Sequence, residues 1–106
     1  MSDELRKLTD VDRLIHEPAR LLIASILYAV DKVDFVYLLR ETGLTKGNLS
    51  AHLSKLESAG YVQIEKTFRG KIPQTLIGLT SDGRTAFENY RTQLTQIVSK
   101  MNEEEK

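Results

Sequence analysis

The sequence contains no cysteine and only two histidines among its 106 residues. Without cysteine, disulfide bonds and thiolate metal sites are excluded, and a reducing cytoplasm is the expected location. The chain also lacks a glycine-rich phosphate loop and a serine-centred nucleophile motif. We therefore predict that the protein is not an enzyme and has no catalytic residue, no metal site and no cofactor.

Long hydrophobic runs are also missing. The longest, residues 21–30, is interrupted by Ser25 and is shorter than the ~20 residues of a membrane span. The N-terminus carries Asp3 and Glu4 where a signal peptide would have its apolar core. With 41% hydrophobic and 28% charged residues, the composition predicts one globular domain, residues 1–106, with no membrane partner.

The net charge is zero, because 15 basic residues balance 15 acidic ones, but the charges are unevenly distributed. Residues 40–75 contain six Lys or Arg against three Asp or Glu, a balance of +3. Residues 1–39 contain five against seven, and residues 76–106 contain four against five, which gives −2 and −1. The middle third therefore carries the positive field that an anionic partner such as nucleic acid would meet.

Proline, glycine and threonine mark the ends of the predicted helices. Pro18 suits the first turn of a helix that is apolar on nearly all sides, which is typical of a central core helix. Gly43 is expected to end a short helix and Thr45 to cap the next one, with Leu44 as an apolar plug between them. Two helices joined by a short turn containing glycine form a helix-turn-helix.

A β-hairpin is predicted after the second helix of this pair, which ends at Gly60. Residues 61–66 and 75–80 alternate as two strands, and a basic turn at residues 69–71 lies between them. Thr80 then caps a long last helix.

These elements together predict a mainly α fold with a small β-hairpin, an α+β winged helix-turn-helix with an extra helix at each end. Its parts are an N-terminal helix (residues 1–17), the helix-turn-helix with its wing (residues 18–80) and a C-terminal dimerisation helix (residues 81–106). In this architecture the second helix of the pair enters the major groove of DNA. Residues 45–59 are therefore the predicted recognition helix, and residues 66–75 form a wing near the minor groove.

A helical wheel of the recognition helix separates a core stripe, Leu49, Leu53 and Leu56, from an outer face of small residues. Small side chains would let the helix backbone approach the bases in a groove ~12 Å wide. Asn48 and Ser50 are the expected base readers, and the lysines are expected to meet phosphates. The predicted DNA-binding residues are Thr45, Lys46, Gly47, Asn48, Ser50, Ala51, His52, Ser54, Lys55, Lys66, Arg69 and Lys71.

Several of these positions have two interpretations. His52 either packs at the rim of the core or reaches the DNA backbone. Lys66 either contacts DNA or protects the hairpin against edge pairing, whereas Arg69 is the preferred minor-groove contact. A face of small residues is also typical of a solvated helix, but Gly47 costs ~1 kcal/mol relative to alanine and so favours close approach. The alternative function is a winged helix that contacts another protein.

The C-terminal helix carries an apolar stripe whose first half could pack on its own domain. From Leu94 onward a core of this size is not expected to cover it, since twenty helical residues span ~30 Å. A second copy of the chain is the expected partner, and folding back within the monomer is the alternative. A two-fold dimer would present two recognition helices about one DNA turn apart, to a pseudo-palindromic operator. The predicted interface residues are Leu5, Leu8, Ile15, Tyr90, Leu94, Ile97, Val98 and Met101.

Two strings carry a family resemblance: LTKGNLSAHLSKLESAGYVQIEK, from residue 44, and RGKIPQTLIGLTSDGR, from residue 69. They resemble the winged-helix transcriptional regulators of the MarR/ArsR-like group, in particular the short prokaryotic members that contain little beyond the DNA-binding domain. The resemblance extends over residues 14–90 and implies a DNA-binding regulator with residues 45–59 as its recognition helix. Metal-sensing members use cysteine ligands, which are absent here, so metal-dependent derepression is not implied.

Overall fold

The computed structural model describes residues 3–104, which form five α-helices and a three-stranded antiparallel sheet. This arrangement confirms the predicted winged helix-turn-helix of the α+β class. The elements in chain order are α1 (Asp3–Arg6), a 3₁₀-helix (Lys7–Asp10), α2 (Pro18–Ala29), β1 (Val33–Asp34), α3 (Phe35–Thr42), α4 (Lys46–Ser58), β2 (Val62–Arg69), β3 (Ile72–Leu79) and α5 (Ser81–Glu104).

Helix α2 contacts α3, α4, α5 and β3, so it is central to the fold as predicted, although Leu22 on its apolar circumference is 41% exposed. Pro18 is its first residue, where a missing N–H costs nothing. The Glu17 carboxylate caps it by accepting the N–H groups of Ala19 and Arg20 at 3.2 and 2.9 Å. Burial alone would raise the pKa of Glu17, but these bonds and the nearby His52 and Arg20 together lower it.

The sheet has the strand order β1-β3-β2. Strands β2 and β3 pair from Val62 opposite Leu79 out to Arg69 opposite Ile72. The two residues of β1 pair with Ile77 and Leu76, an addition that the sequence did not predict because two residues show no alternation. Since β1 covers only the inner end of β3, the outer part of the hairpin is a two-stranded ribbon.

The main core lies between α2, the helix-turn-helix and the inner half of the sheet. The three leucines of the predicted α4 stripe are 0–2% exposed, which confirms the core side of the wheel. Leu44 packs against the same cluster as the expected plug. The buried members of this cluster are Ile23, Leu27, Leu38, Leu49, Leu53, Leu56, Val62 and Ile77.

The N-terminal segment differs from the single helix that its spacing predicted. A short α-helix passes into a 3₁₀-helix, and a turn follows in which the Asp12 carboxylate accepts the N–H groups of Leu14 and Ile15 at 2.9 and 3.2 Å. The Tyr61 hydroxyl also donates to Asp12, at 2.6 Å. This hydrogen bond, then burial and the charges of Asp12 and Asp82, raise the pKa of Tyr61 to about 12. A contact distant in sequence therefore holds the turn in place.

The entry to α5 is built around Thr80 and Gly83. The Thr80 hydroxyl accepts the N–H of Gly83 at 3.0 Å, which confirms the predicted cap. The Thr80 N–H donates to the carbonyl oxygen of Tyr61, also at 3.0 Å. A Cβ atom on Gly83 would overlap that carbonyl oxygen and lie 2.7 Å from its carbon. The absence of a side chain at position 83 is what lets α5 pack directly on the chain before β2.

Candidate nucleic-acid interface

The turn between α3 and α4 has the geometry expected from its sequence. Gly43 adopts a left-handed conformation, with φ of 69°, and its N–H donates to the Leu39 carbonyl at 3.1 Å. The Thr45 hydroxyl accepts the N–H of Asn48 at 3.1 Å. Both caps are therefore confirmed, and they fix the direction in which α4 leaves the core.

The outer face of α4 is fully available to a partner. It consists of small and polar side chains, and none of them contributes to either core cluster. A Cβ built on Gly47 has no neighbour within 4 Å, so packing inside the chain does not require glycine there. The predicted DNA-binding residues that are exposed on this helix and its cap are Thr45, Lys46, Gly47, Asn48, Ser50, Ala51, Ser54 and Lys55.

His52 faces α2 instead of the outer side of α4. Its Nδ1 lies 3.1 Å from Nη1 of Arg20 and 3.7 Å from a carboxylate oxygen of Glu17. Arg20 is held in turn by a 2.6 Å bond from its Nε to the Leu14 carbonyl. This geometry favours packing at the rim of the core over the DNA-backbone contact included in the sequence prediction. The helical wheel of α4 could not identify Arg20 as the partner of His52, because Arg20 belongs to α2.

The wing projects beyond the three-stranded part of the sheet. Gly70 adopts the left-handed conformation at its turn, with φ of 65°. Lys66, Arg69 and Lys71 are all exposed, and within residues 3–104 none of them forms an ion pair. The hairpin therefore presents three uncompensated positive charges near its tip.

An open cleft of about 370 Å³ separates α4 from the wing. Ser50 and Ser54 line it from the helix, and Lys66 and Thr75 line it from the strands. Its floor contains Phe35, Leu53 and Ile64. The cleft combines hydroxyl groups with a cation, which is the chemistry that phosphate and sugar contacts use. Thr75 was not among the predicted site residues, because its role depends on pairing with Lys66 across the hairpin.

The predicted dimer residues divide into two groups in the structure. Ile15, Tyr90 and Ile97 are only 1–2% exposed and form a second core cluster with other residues of their own chain. Burial also raises the pKa of Tyr90, whose hydroxyl lies 2.7 Å from Nδ1 of His16. These three side chains therefore pack within their own chain, and their predicted role at a dimer interface stays a prediction.

The other group leaves apolar surface on α5. Val98 and Met101 are 48% and 47% exposed, and Leu94 lies with Val98 along a groove of about 350 Å³. Leu5 is partly buried against the second core cluster, and the side chain of Leu8 lies outside the described residues. The remaining groove residues are Leu21, Phe87, Tyr90, Arg91 and Thr95.

Comparisons with known proteins agree with this architecture. A model of winged helix DNA-binding domains matches residues 19–98. An uncharacterized protein of Methanocaldococcus jannaschii is 36% identical over 86 residues, 80% of this chain and 92% of that protein. A transcriptional regulator homologue from Pyrococcus horikoshii OT3 is 25% identical with a TM-score of 0.85, over 94% of this chain and 98% of that one.

A MarR-family transcriptional regulator from Silicibacter pomeroyi shares the fold. Its TM-score is 0.65 at 22% identity, and the match covers 92% of this chain and 64% of the regulator. The chain belongs to the family of winged helix DNA-binding domains. This is the class of DNA-binding protein that the sequence predicted. No helix within residues 3–104 is long and apolar enough to cross a membrane.

Proposed function

We propose that the protein is a sequence-specific regulator of transcription that binds double-stranded DNA as a homodimer. Helix α4 enters the major groove and the β2–β3 wing lies at the adjacent minor groove. The observation that carries this proposal is the exposed face of small and polar residues on α4, which stands across an open cleft from a cationic wing. The cytoplasmic location expected from the sequence remains a prediction.

The cleft indicates how α4 and the wing would contact DNA together. One sugar-phosphate strand would lie between α4 and the wing, in contact with Ser50, Ser54, Lys66 and Thr75. Asn48 then faces the base edges, where an amide can bond adenine through two hydrogen bonds. In this arrangement Ser50 contacts both the sugar-phosphate strand and the base edges, while Lys46 and Lys55 contact phosphates and so anchor the helix.

The groove along α5 supports the homodimer. Its surface is mainly apolar and includes Val98, which is about half exposed, as is Met101 one helical turn further along α5. A second copy that covers this surface would relate the two recognition helices by a two-fold axis. Such a dimer reads two half-sites about one DNA turn apart, so the operator is pseudo-palindromic.

One observation favours the alternative function, a module that docks another protein. Phe68 and Ile72 on the wing are 68% and 69% exposed, and exposed aromatic surface is common at protein interfaces. Selection of duplexes from a random pool separates the two functions. Recovery of a pseudo-palindromic site supports the regulator, whereas failure to enrich any sequence supports the protein-docking module.

We expect the wing lysines to account for part of the salt dependence of DNA binding. Each phosphate contact contributes about one unit to the slope of log affinity against log salt. Because the proposed dimer has two wings, Lys66→Gln combined with Lys71→Gln removes four such contacts and should make the slope shallower by about 4. The control is Lys32→Gln, a half-exposed lysine beside Glu65, away from the cleft. A slope that the wing double variant leaves unchanged contradicts the proposed wing contact.

Gly47→Ala should change stability and DNA binding in opposite directions. Among the described residues no atom lies within 4 Å of a Cβ at this position, so the free energy of unfolding should rise by up to about 1 kcal/mol. If α4 approaches the bases as closely as proposed, the same methyl should weaken DNA binding about tenfold, a cost of about 1.4 kcal/mol.

Thermal unfolding and a DNA titration of the same Gly47→Ala sample test the expected gain in stability and the expected loss of DNA affinity. Ser58→Ala is the control, since Ser58 is exposed at the far end of α4 and should leave DNA affinity unchanged. Unaltered affinity in Gly47→Ala would exclude close backbone approach at this position.

A further inference from the structure

The tip of the wing combines apolar and cationic side chains in an unusual way. Phe68 and Ile72 are both more than two-thirds exposed, and they flank the turn that carries Arg69 and Lys71. An exposed large aromatic side chain in a projecting hairpin contributes little to folding. Its position beside cations therefore points to a partner whose surface is anionic and whose interior is apolar.

The strand register assigns Phe68 and Ile72 to opposite faces of the hairpin. Phe68 lies opposite Pro73, on the same face as the Lys66–Thr75 pair that lines the cleft toward α4. Ile72 lies opposite Arg69 on the other face. Because two residues of a strand span about 7 Å, Phe68 extends the DNA-facing side of the wing by that distance beyond Lys66.

The ribbon at this point is narrow enough to enter a groove. Beyond the pairing of Asp34 with Leu76, β2 is the only strand among residues 3–104 that pairs with β3, and Gly70 lies in the turn with a left-handed conformation. Pro73 is compatible with the open edge because it needs no hydrogen-bond partner there. The tip is thus a two-stranded projection with an aromatic ring on the side that faces the cleft.

We propose that Phe68 is a wedge that enters the minor groove, partly unstacks one base step and bends the bound DNA. This inference rests on the proposed function, since it requires the wing to lie at the minor groove. Phosphates on either side would meet Lys66 and Lys71, while the base step receives the apolar ring. This pairing of charges with an apolar insert favours DNA over a protein partner for the exposed phenylalanine.

The wedge would also give the protein a preference for certain DNA sequences without any contact to base edges. Apolar side chains inserted between base steps kink the duplex by roughly 20–90° toward the major groove. Pyrimidine–purine steps such as TA deform most easily. Duplexes selected by the wild-type protein should therefore contain such a step at the position of each wing.

The test uses the wild-type chain and a selected duplex of about 30 base pairs that carries fluorophores at its two ends. Energy transfer should increase on binding, by an amount that corresponds to a bend of about 20° or more. With 2-aminopurine at the wing step, fluorescence should rise as the base unstacks. Phe68→Ala should abolish both changes while affinity falls by less than about tenfold, because the lost contact and the avoided unstacking partly offset each other.

Ile72→Ala is the matched control, since Ile72 is equally exposed at the same tip but on the other face. It should retain the bend, and Phe68→Leu should retain most of it. Binding by the wild type without bending or unstacking, or equal losses in Ile72→Ala, overturns the wedge alone. If the wild-type protein enriches no duplex, the proposed function and the wedge both fail. Circular dichroism of each variant checks that the exposed substitutions leave the fold intact.

Discussion

Gly83→Ala should lower the free energy of unfolding by about 3 kcal/mol or more, the largest stability effect expected for a single methyl in this chain. Gly83 is buried in the first turn of α5, and its Cβ would overlap the carbonyl oxygen of Tyr61. Overpacking usually costs about 1–3 kcal/mol, and the upper end applies where a rigid group opposes the new atom. Here that group is backbone, so no side chain can rotate away.

The same contact explains why a shift of α5 that removed the overlap at Gly83 would itself destabilise the fold. Shifting α5 outward would break the bond from the Thr80 N–H to the Tyr61 carbonyl, which is 3.0 Å long. It would also disturb the Tyr61 hydroxyl, which donates to Asp12. The N-terminal turn, the start of β2 and the start of α5 are therefore linked through Tyr61.

Chemical denaturation of Gly83→Ala against wild type measures this loss. Gly47→Ala is the matched control, because Gly47 also lies in the first turn of a helix but has open space at its Cβ position. Equal stability of the Gly83 variant and wild type would mean that α5 does not pack on Tyr61 as described.

Local signals explain why most of the fold could be predicted from sequence. Gly43 and Thr45 act through bonds within four residues of themselves, so their residue types suffice to predict the caps. Leu49, Leu53 and Leu56 share one face at helical spacing, and that face had to be buried. These short-range rules position α4 and its exposed face, which is most of the proposed interface.

Long-range contacts explain what the sequence left open. The turn at Asp12 depends on Tyr61, 49 residues away, and the position of His52 depends on Arg20, 32 residues away. The α5 stripe posed a similar difficulty. A wheel shows that Ile97 and Val98 are apolar, but only the tertiary packing determines that Ile97 is 2% exposed and Val98 is 48% exposed.

That distinction directs the test of the homodimer. Val98→Lys with Met101→Lys should convert the proposed dimer to a monomer, because two charges would be buried in an apolar contact on each side. Both side chains are about half exposed in the monomer, so the fold should survive. Substitution of Ile97, which is 2% exposed, would instead remove part of the core and confuse dissociation with unfolding.

Loss of the dimer should reduce affinity for a selected pseudo-palindromic duplex by about 100-fold or more. Two linked recognition helices bind as one unit, and linkage of this kind contributes roughly 10²–10⁴ in affinity. Sedimentation equilibrium and a DNA titration of the same double variant measure the two effects. Gln96→Lys is the control, since Gln96 is exposed on α5 and does not line the groove; it should remain dimeric and bind as wild type. A double variant that still sediments as a dimer would place the second copy elsewhere on the chain, whereas a monomer that binds the duplex with undiminished affinity would show that one recognition helix and one wing suffice.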